Sequence, residues 1–279
     1  MIEWLLQPVS EVMTEEPVGL DPDDALEIAE ALMATAGTRH WPVTRDGRLV
    51  GFISLRALLA VGYRAGLSEM GAVGDAMSAP PVVLDLDSDV RTAARLMASY
   101  HFTCLPVVDR AALIGVVTTT DFVRLAVDLM RDQADQLGMA TPVGQLMTSW
   151  PITIGAHCRI DEAERIMRHG DLCHLPVMES DRLRGMLSER DLLRGSSANL
   201  PIHRALTIDQ VAQPASIVTS EETAAMTAGA LMIHHGIGAL AVLRGGQLVG
   251  ILTRGDFLAF LIARASGLGM QDGRVMSPS

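Results

Sequence analysis

The chain repeats itself four times, and any fold proposed for it must repeat with it. Gly115-Val116-Val117-Thr118-Thr119-Thr120-Asp121 recurs as Gly185-Met186-Leu187-Ser188-Glu189-Arg190-Asp191 and as Gly250-Ile251-Leu252-Thr253-Arg254-Gly255-Asp256. A further copy, Gly51-Phe52-Ile53-Ser54-Leu55-Arg56-Ala57, keeps the glycine and the hydroxyl but has lost the acid. The register holds at a distance. Counted from Met13, Met77, Met147 and Ala212, the hydroxyl residues Ser54, Thr118, Ser188 and Thr253 each lie 41 positions on. Met33, Met97, Met167 and Met232 lie 20 on, and Pro42, Pro106, Pro176 and Ala241 lie 29 on. Insertions therefore fall between repeats, at intervals of 64, 70 and 65 residues. Such a period exceeds that of common solenoids and makes each repeat a small folding unit of its own.

Each copy carries the same local signals. In the first, Val18-Gly19-Leu20 reads as a short strand, and Asp21-Pro22-Asp23-Asp24 as a helix start with acids in its first turn. Ala25, Ile28, Ala29, Leu32 and Met33 follow at helical spacing, and Gly37 suits the helix end. Trp41-Pro42-Val43 and Leu49 to Ile53 are strands joined by the turn Asp46-Gly47, and a second helix follows Ser54. The second copy repeats this with Val82-Val83-Leu84, a helix marked by Val90, Ala93, Ala94 and Met97, and a hairpin of Leu105 to Val108 with Leu113 to Val117. The expected class is α/β: four tandem β-α-β-β-α units. One such unit cannot cover both faces of its sheet, so the units are expected to pack as two pseudo-twofold pairs.

The break at Gly138-Met139-Ala140-Thr141-Pro142 sets the expected boundary between residues 1–137 and 138–265. Repeats are expected at about residues 8–62, 72–130, 142–195 and 205–265. Gly195 to Pro201 reads as the loop between the last two. Residues 266–279 read as a flexible tail, and Ile2-Glu3-Trp4-Leu5-Leu6 as an amphipathic start that packs on its own module.

Composition narrows the partners. A chain of 279 residues with 49% apolar but only 4% aromatic residues builds its cores from Ala, Val, Leu, Ile and Met. A net charge of −11 with no basic block argues against nucleic acid, whose backbone demands a basic face. The three cysteines form no CxxC pair, which suits reduced thiols in the cytoplasm. No stretch reaches the length of a membrane span, and the N-terminus lacks the basic start and long apolar run of a signal peptide.

The Met-Thr opening followed by proline (Met13-Thr14, Met77-Ser78, Met147-Thr148), the Leu-Pro-Val strand (Leu105-Pro106-Val107, Leu175-Pro176-Val177) and the glycine-to-aspartate ending, all at one spacing, resemble the cystathionine β-synthase (CBS) domain family. The likeness covers about residues 8 to 265. It implies repeats paired into modules (Bateman modules), with clefts that take adenosine compounds: AMP, ADP, ATP, S-adenosylmethionine or dinucleotides. Such modules need no cofactor beyond that regulatory ligand. With no other domain joined to the repeats, the resemblance implies a separate regulated enzyme or transporter, and a homodimer. Four repeats in one chain also resemble, in layout alone, the γ subunit of AMP-activated kinase.

The hydroxyl-x-x-acid element has two readings. One is a capping box, with the hydroxyl at the N-cap and the acid three residues on. The other is a nucleotide grip: the hydroxyl and the helix N-terminus hold phosphate, and the carboxylate accepts the hydroxyls of a ribose. The preceding glycine would then permit close backbone approach. On this reading the candidates are Thr118 and Asp121; Ser188, Arg190 and Asp191; and Thr253, Arg254 and Asp256. The arginines add charge-assisted bonds to phosphate, which makes the second pair the better site; their alternative reading is solvated helix surface. Ala57 removes the acid from the first repeat, and Val211-Ala212 and Leu240-Ala241-Val242 depart from the pattern in the fourth.

The resemblance further implies that residues just before Leu-Pro-Val face the ligand phosphates, which singles out His174 and Arg39-His40. It places the adenine between apolar walls near the first strand: Pro81-Val82, Pro151-Ile152 and Ser216-Ile217. His157, Cys158, His169, Cys173 and His174 invite a zinc reading, but their spacing matches no recurrent zinc pattern. No nucleophile elbow, metal motif or phosphate-binding loop points to an enzyme. The alternative to a ligand sensor is a dimerisation scaffold with decayed sites.

Overall fold

A computed structural model describes residues 5–36, 38–65, 71–137, 141–196, 206–215, 217–266, 270–271 and 274–275. The proposed helix end at Gly37, residues 138–140 of the expected boundary, residues 197–201 of the loop and residues 2–4 of the amphipathic start lie outside them. The β-α-β-β-α order holds. In the second repeat it runs Leu84–Asp85, Val90–Tyr100, Cys104–Asp109, Ala112–Thr118 and Thr119–Leu137. The first strand runs parallel to the second, with Leu84 opposite Val107, and the hairpin strands run antiparallel, with Pro106 opposite Val116. First strands are shorter than their apolar runs suggest. In the first repeat only the bridge Leu20↔Val43 remains.

All four hairpins close through two residues with positive φ: Asp46-Gly47, Arg110-Ala111, Ser180-Asp181 and Gly245-Gly246. Two positive values in a row match the right-handed twist of the strands they join.

The opening segment of each repeat crosses to its neighbour. Thr14–Glu15 pairs with Gly115 and Val116, and Ser78 bridges back to Phe52. Thr148–Ser149 pairs with Ile251 and Gly250, and Gln213–Pro214 pairs with Met186 and Gly185. Repeats 1 and 2 thus share one six-stranded sheet, while 3 and 4 each complete a four-stranded sheet with a strand from the other.

The crossing explains the signature glycine, and differently from its reading as a gap for ligand. A Cβ on Gly51, Gly115 or Gly250 would fall 2.4, 2.3 or 2.4 Å from the Sδ of Met77, Met13 or Met147. On Gly185 it would fall 2.5 Å from the carbonyl oxygen of Gln213. The glycine and the opening methionine are two halves of one contact between repeats, broken only where Ala212 replaces the methionine.

Helices join the pairs. The helix Thr119–Leu137 of repeat 2 buries Phe122, Val123, Ala126 and Val127 against Ala225, Ala228, Phe257 and Leu261 of repeat 4, in one continuous core. Gly229 allows the approach: a Cβ there would stand 2.6 Å from Val127 Cγ2. Repeats 1 and 3 keep separate cores, around Leu26, Met33, Ile53 and Leu58 and around Ile160, Met167, Leu175 and Leu187. They meet through the helices Leu55–Ala65 and Glu189–Ser196. The tail, read as flexible, holds a two-stranded ladder, Met270–Gln271 with Arg274–Val275, lying against the last helix. Leu5 is buried while Leu6 is half exposed. Among the described residues no helix is long and apolar enough to cross a membrane.

Candidate functional site

The second helix of every repeat starts directly after its hydroxyl residue, and the four starts converge on the middle of the molecule. His40 Nδ1 lies 2.9 Å from Thr103 Oγ1, joining repeats 1 and 2. His174 of repeat 3 lies over Gly238 of repeat 4, where a Cβ would stand 2.6 Å from the ring. Arg39 Nη1 lies 3.6 Å from Glu189 Oε2. Arg56 Nε donates to Glu189 Oε1 at 2.6 Å, and its Nη1 donates to Asp171. Cys173 Sγ lies 3.8 Å from Arg56 Nη2.

The charges here are crowded and partly dry. Burial pushes Arg254 down to about 10, aided by the positive charges of Arg190 and Arg39. Burial, then Arg39 and Arg56, lowers His40 to about 3. His174 is held well below its usual value by burial, Arg39, Arg190 and Arg254. Both imidazoles are therefore neutral at pH 7 and serve as polar walls to a cluster of guanidinium groups. Among the described residues the buried Nη1 of Arg39 has no hydrogen-bond acceptor. A cation cluster with an unsatisfied donor is a setting that an anion completes.

The capping geometry is formed in the three repeats that have the acid. Thr118 donates from N and Oγ1 to Asp121 Oδ2, both at 2.8 Å. Ser188 does the same to Asp191 Oδ2 at 2.8 and 2.5 Å. Thr253 does so to Asp256 Oδ2 at 2.6 and 2.8 Å. A hydroxyl has one hydrogen to give, and here the carboxylate takes it; the grip read from sequence needs that hydrogen moved to a phosphate. Asp121 Oδ1 accepts from Arg124 Nη1 at 2.9 Å. Burial raises Asp256 to about 7, its bonds from Thr253 offsetting part of the effect. In repeat 1, Ser54 Oγ accepts from Ala57 N at 3.2 Å, a plain N-cap.

The proposed adenine walls lie in the segments that lead into the first strands. Val82 and Ile152 are 38% and 55% exposed, whereas Ile217 packs against the core. Ser216 lies outside the described residues. Trp150, at positive φ and 82% exposed, stands two residues before Ile152. A crevice of about 460 Å³ opens between the hairpin turns of repeats 3 and 4, lined by Arg182, Leu183, Ala215 and Val218. It lies at the far ends of the strands, roughly 20 Å along them from Ser188, and none of the candidate residues lines it.

The residues of the zinc reading are spread apart. His157 faces Glu179 at 3.3 Å, and His169 bonds the Arg165 carbonyl at 2.7 Å. Cys173 and His174 face the centre instead. Sequence reasoning passed over Arg56 and Glu189. The signal was present: of the residue pairs between hydroxyl and acid, Leu55-Arg56, Thr119-Thr120, Glu189-Arg190 and Arg254-Gly255, only that of repeat 3 contains a carboxylate.

The family model described as "CBS domain" matches residues 9–63, 73–128, 143–198 and 208–263. The chain belongs to the CBS domain family. The crystal structure of protein MJ1225 from Methanocaldococcus jannaschii superposes with a TM-score of 0.80 at 18% identity, over 91% of this chain and all of that one. In sequence, MJ1225 is 25% identical over 67% of this chain and 69% of its own length. The magnesium transporter MgtE of Thermus thermophilus is 35% identical over 117 residues, 39% of this chain. The inosine-5'-monophosphate dehydrogenase of Thermoplasma acidophilum is 30% identical over 128 residues, 45% of this chain. The aligned part is a quarter of the length of each of these two relatives, so the CBS domain chain shares only a fraction of the transporter or the dehydrogenase.

Proposed function

We propose that this CBS domain chain is a regulatory module that binds an adenosine compound and acts on a separate partner. The observation that carries the reading is the convergence of Arg39, Arg190 and Arg254 with two neutral histidines where the helix starts meet. The phosphate of a ligand lies among these guanidinium groups. Its ribose is taken by Asp191 or Asp256, and its base rests against the exposed walls at Ile152 or Val82. The second pair is the preferred site, because it contributes Arg190 and Arg254. The relatives that carry a matching part within a transporter or a dehydrogenase support a role in regulating another activity.

A melting curve with millimolar AMP, ADP, ATP and S-adenosylmethionine tests the reading. A ligand at one hundred times its dissociation constant stabilises the folded state by about 2.7 kcal/mol. The expected result is a shift with at least one of the four, lost in Asp191→Ala with Asp256→Ala. No shift with any of them favours the scaffold reading, which the sealed position in repeat 1 supports: Ala57 lacks the carboxylate, and Arg56 is engaged by Glu189 and Asp171.

A further inference from the structure

The arginine cluster already holds an anion of its own. Glu189 is the first residue of its helix, where the dipole and free N–H groups favour negative charge. Its side chain is only 7% exposed, and it reaches across the pairs to Arg56 at 2.6 Å and towards Arg39 at 3.6 Å. The equivalent positions are Leu55, Thr119 and Arg254, so repeat 3 alone sets a carboxylate at this place. Arg39 leans towards it without a hydrogen bond, and its buried Nη1 has no acceptor among the described residues. Arg39 is thus attracted by Glu189 yet open to a stronger acceptor.

We infer that Glu189 is a specificity-determining residue: a tethered anion that occupies one anion position of the centre and so limits how much phosphate a ligand can place there. The inference rests on the reading of the centre as a phosphate site. A single phosphate finds Arg190, Arg254 and the spare donor of Arg39. A longer phosphate chain must extend beside a fixed carboxylate that is only partly neutralised, and like charges at such range repel strongly where water is scarce. Arg56 screens the acid, and Asp171 holds the outer end of Arg56. The centre therefore favours short phosphates over long ones.

Titration calorimetry with adenosine, AMP and ATP on the full chain tests this. Glu189→Gln keeps the shape and removes the charge; it tightens ATP by about tenfold relative to AMP and leaves adenosine unchanged. Arg56→Gln leaves the acid unscreened and moves the ratio the other way. Asp171→Asn, at the outer end of the same strut, leaves it within about twofold. An ATP-to-AMP ratio that stays put in Glu189→Gln, or that moves equally in Asp171→Asn, overturns the inference. If no adenosine compound binds the wild type, the parent reading falls on its own. Stabilisation by inorganic tripolyphosphate against phosphate, in wild type and Glu189→Gln, then decides: a gain confined to tripolyphosphate in the variant supports the tethered anion, and equal responses reject it.

Discussion

The two pairs of repeats are joined by two seams of opposite character. Between repeats 2 and 4, Phe122 and Val127 interleave with Phe257 and Leu261 across Gly229 in a continuous apolar core. Between repeats 1 and 3, Arg56 and Arg39 reach for Glu189 and Asp171. The apolar seam removes surface from water and is held whatever the ionic conditions. The polar seam gains little net stability, because desolvating the charges offsets much of their attraction. Salt screens its exposed part further, while the apolar seam keeps the pairs together.

Breaking the apolar seam should have the largest effect. Phe257→Ala leaves a cavity in the shared core and is expected to cost about 3–5 kcal/mol, read from urea unfolding. A loss below about 1 kcal/mol would mean that the two pairs do not depend on one another for their cores.

The crossings inside each pair come next. Gly185→Ala sets a Cβ against a backbone carbonyl, and Gly115→Ala sets one against the tip of a flexible methionine. The first should cost about 3 kcal/mol and the second about 1 kcal/mol; equal losses would show that the Met13 side chain cannot yield.

The polar seam should prove weaker than either. Arg56 is partly exposed, so Arg56→Met costs about 1–2 kcal/mol, mostly by stranding Glu189. Adding Glu189→Leu should recover most of that loss. A double variant that loses the sum of both single effects would contradict the assignment of the seam as nearly neutral in energy.

pH sharpens the contrast further. His40 and His174 are lowered in the folded state, so the unfolded chain binds their protons first and stability falls as pH drops below about 6.5. Asp256 acts in the opposite sense. Raised to about 7, it holds a proton that the unfolded chain releases above its ordinary value, so its contribution is lost as pH rises through 7. Asp256→Asn removes that opposing effect. Between pH 6 and 4 it should steepen the loss of stability by about 1.4 kcal/mol per pH unit, measured by denaturant titration. An unchanged slope would mean that Asp256 titrates normally.

Much of the fold could be read from one strand of evidence, the repeat. Turn residues such as Asp46-Gly47, helix spacing at Ala93 and Met97, and the strand Leu105-Pro106-Val107 are local signals, and four copies in register reinforce each other. The signature glycine was harder. Its partner methionine lies in the neighbouring repeat, so the steric need that fixes it leaves no local pattern, and a ligand seemed the natural reason for the missing side chain. The seams were hidden for the same reason. Phe122 and Phe257, or Arg56 and Glu189, are more than a hundred residues apart, and nothing in periodicity or composition pairs them. The cation centre was half visible: Arg190, Arg254 and His174 drew attention as groups that could hold a phosphate, whereas Glu189, at the same repeat position as Arg254, carries the charge of the ligand itself and was passed over.

The crossed openings also set a timetable for synthesis. A ribosome delivers residues in order, so the sheet of repeat 1 stays incomplete until Ser78 arrives to pair with Phe52. The first pair then closes, but the face of the helix carrying Phe122 and Val127 remains bare until residues 225–261 emerge. At 5–20 residues per second that wait is on the order of ten seconds, during which a greasy helix is displayed to the crowded interior of a cell. The nascent chain has its greatest need of a chaperone in this interval, and a fragment stopped at residue 137 would carry that exposed face permanently.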